Sequence, residues 1–258
     1  MSSTPSWGAP PMYPHAVADE VHVWRIPLDL AAPHVERLGQ ALNDEERTRT
    51  ARFHFDRDRR QYQIVRGALR AILSRYVDAP PGDLAFVYNA TGKPALRCGP
   101  GEQDLRFNIS HSGRMALIAV ALGRDIGVDI ELIRGNIPTE EIENRFFAPA
   151  EVASIRALPA ADRRRAFFHC WTRKEAYLKA RGEGLSLAIK EFELPIACGE
   201  TADVLAISDH PSDCPRWWLR ELVVGSGYAA AMAVEGDGWS ARLWRWPSGS
   251  SQAIGRRP

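Results

Sequence analysis

Lys174, Glu175 and Lys179 lie close together in residues 167–184, FFHCWTRKEAYLKARGEG. Glu175 and Lys179 are four apart, so on a helix they share one face, with Lys174 one step round. A carboxylate between two ammonium groups can hold a divalent cation while the lysines hold phosphate oxygens. The same spacing decorates ordinary solvated helix faces, and the helix by itself leaves both readings open. Residues 126–131, IGVDIE, narrow the choice. They read as a strand on which Asp129 and Glu131 project from one face. Neighbouring carboxylates repel each other unless a cation sits between them. With Glu175 they make three hard oxygen donors, a set suited to Mg²⁺ or Mn²⁺. Just upstream, NISHSG at 108–113 puts the Ser110 hydroxyl and the His111 imidazole at the end of another strand.

The elements that must position these groups are legible as patterns. Phe167, Cys170, Trp171 and Leu178 recur at near-helical spacing, and Gly182 and Gly184 stand where a helix stops. The pattern predicts a helix over 160–181, with Trp171 in the core. Asn43-Asp-Glu-Glu46 reads as a capping box opening a helix. A second long helix is expected over 56–76, with Tyr62, Val65, Leu69, Ile72, Leu73 and Tyr76 as its apolar stripe. Its other face carries Arg57, Arg59, Arg60, Arg66 and Arg70, read as solvated. Short helices are expected at 139–146 and 149–158, the latter opening on proline. Strands are expected at 21–27, 84–88, 105–109, 115–121, 126–131, 191–196, 204–207, 217–224, 228–234 and 241–246. A turn at 89–92 leads to Lys93 and Pro94, and a loop at 110–114 joins the 105–109 and 115–121 strands. Strand, helices, strands occur twice in that order, with a break near residue 125. That is compatible with a pseudo-duplicated α+β architecture. The expected division is a loose arm at 1–16, an N-terminal lobe at 17–125, a C-terminal lobe at 126–246 and a loose tail at 247–258.

Composition excludes several classes. The 258 residues carry 33 Lys and Arg against 32 Asp and Glu, a net charge of +1, which argues against a dedicated nucleic-acid binder. No apolar run reaches membrane-spanning length, and no basic segment followed by an apolar core opens the chain. Cys98, Cys170, Cys198 and Cys214 are scattered, which disfavours a zinc site or disulfide framework and fits a reducing cytoplasm.

NISHSG, then GVDIE, then WTRKEAYLK, preceded by Gly92-Lys93-Pro94, resembles the 4′-phosphopantetheinyl transferases of the larger, surfactin-synthetase-activating type. The resemblance covers roughly residues 40 to 235, in order and with consistent spacing. It implies two similar lobes related by a pseudo-twofold axis, in a single chain that needs no partner copy, with the active site in the cleft between them. It implies a cytoplasmic enzyme that moves the 4′-phosphopantetheine arm of coenzyme A to a serine of an apo acyl- or peptidyl-carrier domain. Such carriers belong to fatty-acid, polyketide or nonribosomal-peptide assembly. By the same resemblance Asp129, Glu131 and Glu175 would hold Mg²⁺ on the diphosphate. Glu175 would act as base, directly or through water. Lys179 would stabilise transition-state charge, and Lys174 would hold phosphate oxygens. Ser110, His111, Lys93 and Pro94 would contact the nucleotide. Arg49 would meet the 3′-phosphate. Some relatives also have an arginine where this chain has Gln61, and Arg60 or Arg66 are the substitutes at hand. Two rival functions use the same residues: a metal-dependent phosphohydrolase, and a homologue that holds coenzyme A without catalysis.

Overall fold

The computed structural model describes residues 6–77, 79–97, 99, 103–182, 190, 193–194, 205–207 and 216–247. The first part runs β1 (Glu20–Pro27), α1 (Ala32–Gln40), α2 (Asp44–Ala51), α3 (Asp56–Leu73), a 3-10 turn at Pro81–Asp83, and the hairpin β2 (Phe86–Tyr88) and β3 (Pro94–Leu96). Then come β4 (Leu105–Ser112) and β5 (Met115–Leu122). The second part runs β6 (Ile126–Leu132), α4 (Thr139–Phe146), α5 (Pro149–Ala157), α6 (Ala160–Arg181), β7 (Leu205–Ile207), β8 (Trp217–Glu221), β9 (Tyr228–Glu235) and β10 (Ser240–Arg245). The mixed α+β class is as expected. Among the described residues no helix is long and apolar enough to cross a membrane.

Two four-stranded sheets carry the architecture, in the orders β10-β1-β5-β4 and β6-β9-β8-β7. Each has its helices inserted after the first strand, and each pairs that strand with the last of the run, β1 with β5 and β6 with β9. Alternation along the strands sorts the cores. Trp24, Ile26, Ile118 and Val120 face α1 and α3, whereas Val21, Val23, Leu117 and Ala119 face Val128, Ile130, Met232 and Val234 of the other sheet. The far side of the second sheet, at Ala231 and Ala233, packs on Ala176, Tyr177 and Ala180 of α6.

Helix α6 lies on β6 because of Gly127. A Cβ there would meet Ala176 O at 2.0 Å and Ala180 N at 2.3 Å, so no other residue lets the helix come this close. The contact sets the last turns of α6 directly over Asp129 and Glu131. Helix α2 starts on the expected capping box: Asn43 accepts from Glu46 N at 2.9 Å and Glu46 accepts from Asn43 N at 3.3 Å. Trp171 packs with Phe146, Phe147 and Phe167.

Several expectations need correction. The arm before residue 17 is not loose where it is described: Trp7 is buried and donates to Val223 O at 2.6 Å, and Gly8 bridges to Trp244 beside β10. Strand β4 does not end at residue 109 but runs through Ser112, because Ser110, His111 and Ser112 continue the ladder with β5. Helix α1 was not foreseen, although Pro33 marks its first turn. Strand β10 does not join the sheet of β6 to β9; it pairs in parallel with β1 in the other. Strand β8 stops at Glu221. Arg66 and Arg70 are not solvated: both grip Glu46 in a buried ion-pair cluster, Arg70 at 2.5 Å. Of the expected 191–196 strand, only residues 193–194 are described and they are not in a strand; the rest lies outside the described residues. So do position 204 and the tail beyond 247.

Candidate active site

Strands β4 and β6 run side by side without a shared ladder. Side chains on alternate positions of β4 join them instead. Asn108 Oδ1 accepts from Val128 N at 2.9 Å, Ser110 Oγ from Ile130 N at 3.4 Å and Ser112 Oγ from Leu132 N at 3.1 Å. The same hydroxyls donate onward, Ser110 to Asp129 Oδ1 at 2.8 Å and Ser112 to Glu131 Oε2 at 2.7 Å. Both carboxylates are therefore held by the neighbouring strand. Asn108 and Ser112 were absent from the expected site; their signal is the polar alternation at 108, 110 and 112 on a strand otherwise apolar on its other face.

Lys179 reaches down from α6 into this seam. Its Nζ lies 2.5 Å from Asp129 Oδ1 and 3.1 Å from Ser110 Oγ. Glu175, one turn earlier, stands over the same cluster. Burial pushes its carboxyl up to about 7, with Lys179 pulling down and the charges of Asp129 and Glu131 pushing further up. Glu131 is shifted upward too, chiefly by burial, against the Ser112 hydrogen bond. Glu175 thus feels the charges of both Asp129 and Glu131, and Glu131 feels that of Asp129. Among the described residues, Asp129 Oδ2 and Glu175 Oε1 are buried with no hydrogen-bond partner. A buried carboxylate oxygen without a donor is costly, and a hard cation is the ligand that relieves it. The donor set thus fits a divalent ion. Among the described residues, however, no group of three or more His, Cys, Asp or Glu side chains is already gathered for one. Lys179 supplies the counter-charge in this state.

The other expected residues divide. His111 lies on the opposite face of β4 from Ser110, exposed, and desolvation followed by the Lys179 charge keeps its pKa below the usual histidine value. Lys93 and Pro94 line a cavity of about 340 Å³ with Tyr88, Arg106, Phe107 and Arg181. Arg49 is exposed in the last turn of α2, its guanidinium 5.4 Å from the Tyr62 ring centroid. Lys174 is not brought to the cluster. It is fully buried on the other side of α6, with Nζ 2.9 Å from Glu151 Oε2 and over the Phe147 ring. The physical reason is helical geometry: one residue turns the side chain by about 100°, which carries Lys174 into the core while Glu175 faces β6. Arg60 and Arg66 are also engaged, Arg60 with Leu30 O and Arg66 with Glu46, so neither stands free for a phosphate. Gln61 donates to Gly113 O at 2.9 Å, bracing the turn after Ser112.

Comparison with known proteins adds a separate line. A family model described as "4′-phosphopantetheinyl transferase superfamily" matches residues 125–233, and one described as "4′-phosphopantetheinyl transferase, N-terminal" matches residues 31–122. The chain is 40% identical over 230 residues to 4′-phosphopantetheinyl transferase HetI of Nostoc sp., covering 89% of this chain and 94% of that protein. It is 30% identical over 200 residues to 4′-phosphopantetheinyl transferase Sfp of Bacillus subtilis, covering 77% and 84%. A phosphopantetheinyl transferase of Thraustochytrium sp. is 31% identical over 246 residues, covering 87% and 84%.

Proposed function

Because the chain belongs to the 4′-phosphopantetheinyl transferase superfamily, we propose that it transfers the 4′-phosphopantetheine arm of coenzyme A to a serine of an apo acyl- or peptidyl-carrier domain. Adenosine 3′,5′-bisphosphate is the other product. The observation that carries the reading is the junction of Lys179, Asp129 and Ser110, with Glu175 beside it and two buried carboxylate oxygens without donors.

In the reaction the carrier serine Oγ forms a bond to the β-phosphorus. The bond from that phosphorus to the bridging oxygen breaks, and the electron pair leaves on adenosine 3′,5′-bisphosphate. The serine proton must go to a base. Glu175 would take it, directly or through water. Lys179 carries positive charge to where negative charge gathers on the departing oxygen. Ser110 and Ser112 keep Asp129 and Glu131 oriented. Asp129, Glu131 and Glu175 would hold Mg²⁺ or Mn²⁺, which when bound supplies charge neutralisation for the diphosphate. The cavity beside Lys93 and Pro94 receives the nucleotide end, and Arg49 reaches for its 3′-phosphate. The reading takes the protein to act as a monomer in the cytoplasm.

The deciding experiment incubates the protein with coenzyme A, Mg²⁺ and an apo-carrier, and weighs the carrier by mass spectrometry. A gain of one phosphopantetheine mass is expected. No gain with any carrier, or release of phosphate from coenzyme A without a carrier, overturns the transferase reading, the second outcome in favour of a phosphohydrolase.

A further inference from the structure

The β2–β3 hairpin grips the end of α6 through three side chains. Lys93 Nζ donates to Ala180 O at 2.8 Å and to Ile126 O at 3.3 Å. Asn89 Nδ2 and Thr91 Oγ1 donate to Gly182 O at 2.9 and 2.7 Å. At the same time Asn89 Oδ1 accepts from Thr91 N at 3.1 Å and from Lys93 N at 2.8 Å. One side chain thus folds the turn and reaches across to the helix. The last carbonyls of a helix have no partner within it, and a cation there also meets the negative end of the helix dipole. Gly182 ends α6 with φ 70°, and a Cβ at that position would lie 3.1 Å from Asn89 Nδ2 and 3.3 Å from Lys93 Cδ. The hairpin and the helix end are closely fitted to each other.

We propose that Asn89, Thr91 and Lys93 form a latch that positions the last turn of α6, and through it Lys179, for transfer. The inference rests on the transferase reading. Lys93 holds the carbonyl of Ala180, the residue directly after Lys179. The latch therefore acts on the backbone segment from which the Lys179 ammonium reaches Asp129 and Ser110. The same turn borders the cavity lined by Lys93 and Pro94. The Lys93 ammonium is engaged with protein carbonyls, and its contribution falls on turnover more than on coenzyme A binding.

The test compares Lys93→Met, Lys93→Arg and Asn89→Asp, the last keeping the Oδ1 acceptor while removing the Nδ2 donor. Lys93→Met and Asn89→Asp are expected to lower kcat by about tenfold with KM for coenzyme A changed by less than about threefold. Hydrogen exchange at the Gly182 amide, which bonds Leu178 O, should quicken by about tenfold in both, with the rest of α6 unchanged. Lys93→Arg, which restores a donor to the carbonyls, should recover most of both effects. A Lys93→Met defect confined to KM, with Gly182 exchange unaltered, overturns the latch and makes Lys93 a ligand of coenzyme A. Should the wild-type protein transfer nothing to any carrier, the transferase reading falls while the exchange measurement still decides: unaltered Gly182 exchange in both variants overturns the latch by itself.

Discussion

Lys179 Nζ lies 2.5 Å from Asp129 Oδ1, a contact between residues 50 apart in sequence that joins the last turns of α6 to the middle of β6. Only one oxygen of Asp129 is taken in this way. Oδ2 is left buried without a donor among the described residues. The lysine neutralises the aspartate while leaving it a free coordination position, which is the condition for an incoming ion and an anionic substrate to be accepted together.

Asp129 is the residue on which the metal reading turns. Asp129→Asn should cut transfer by at least about a hundredfold, which corresponds to roughly 3 kcal/mol of transition-state stabilisation. EDTA should abolish transfer in the wild-type protein, and Mg²⁺ or Mn²⁺ should restore it. Undiminished turnover in Asp129→Asn would remove the proposed ion site.

Glu175 carries a charge where the fold resists one. Burial pushes its carboxyl up to about 7 in the folded protein, above the ordinary glutamate value of 4.5, so the ionised form costs stability above about 7, and the cost vanishes as pH falls toward 4.5. Glu175→Gln should therefore raise stability at about pH 8 in EDTA, by roughly 1–3 kcal/mol, and lose that advantage by about pH 5. It should abolish most turnover at every pH. Denaturant titrations at the two pH values check the first statement. A variant less stable than wild type at the higher pH would mean that Glu175 serves as an ordinary salt-bridge partner.

Lys174 separates a structural role from a phosphate contact. It is fully buried against Glu151, which also accepts from Ala148 N and Leu194 N. Lys174→Met leaves that carboxylate without its cation and should cost about 3–5 kcal/mol of stability. Adding Glu151→Gln to the same protein should restore at least half of the loss. If Lys174→Met instead raises KM for coenzyme A at unchanged stability, the lysine reaches substrate after all.

Arg49 is proposed to read the 3′-phosphate, far from the bond that breaks. Arg49→Ala should raise KM for coenzyme A by roughly tenfold, equivalent to about 1.4 kcal/mol, and leave kcat nearly unchanged. With dephospho-coenzyme A the penalty should disappear. An equal penalty with both substrates would exclude the assignment, and neither Arg60 nor Arg66 is free to replace it.

His22 is buried between Tyr76 OH at 2.8 Å and Glu20 at 3.3 Å, with Trp244 packed on its ring. Burial holds its pKa below 6.5, opposed in part by Glu20. The unfolded chain therefore takes up the proton first, and the contribution of His22 to stability falls as pH drops below about 6.5. The stability difference between wild type and His22→Gln should shift against the wild type on going from about pH 7.5 to about pH 5.5. A difference that does not move with pH would show that the ring ionises equally in both states.

The long helix at 160–181 was legible to the residue because its apolar spacing and its terminal glycine act locally. The capping box at Asn43 and Glu46 was legible for the same reason. Lys174 lies away from the cluster although Lys179 bonds Asp129 and Glu175 feels its charge; adjacency in a helix is not adjacency in space. Arg66 and Arg70 misled because a buried ion pair leaves the same mark in sequence as a solvated basic face, and only the fold shows Glu46 between them. The three carboxylates were singled out through their types and spacing. Their orientation by Ser110 and Ser112 needed the side-by-side course of β4 and β6, which nothing local encodes. Long-range pairing is likewise silent in sequence, and that is why the expected division at residue 125 did not foresee β10 pairing with β1.

The position of β10 also bears on synthesis. Strand β1, near the start of the chain, has β5 on one side and β10 on the other. A ribosome delivers β1 and β5 early and β10 after all the other strands, so the nascent first sheet must wait with the backbone amides and carbonyls along one side of β1 unpaired. Such an edge is a template for pairing with another chain. A polypeptide released before Ser240 keeps that edge open, and its hazard is aggregation of an otherwise complete first lobe.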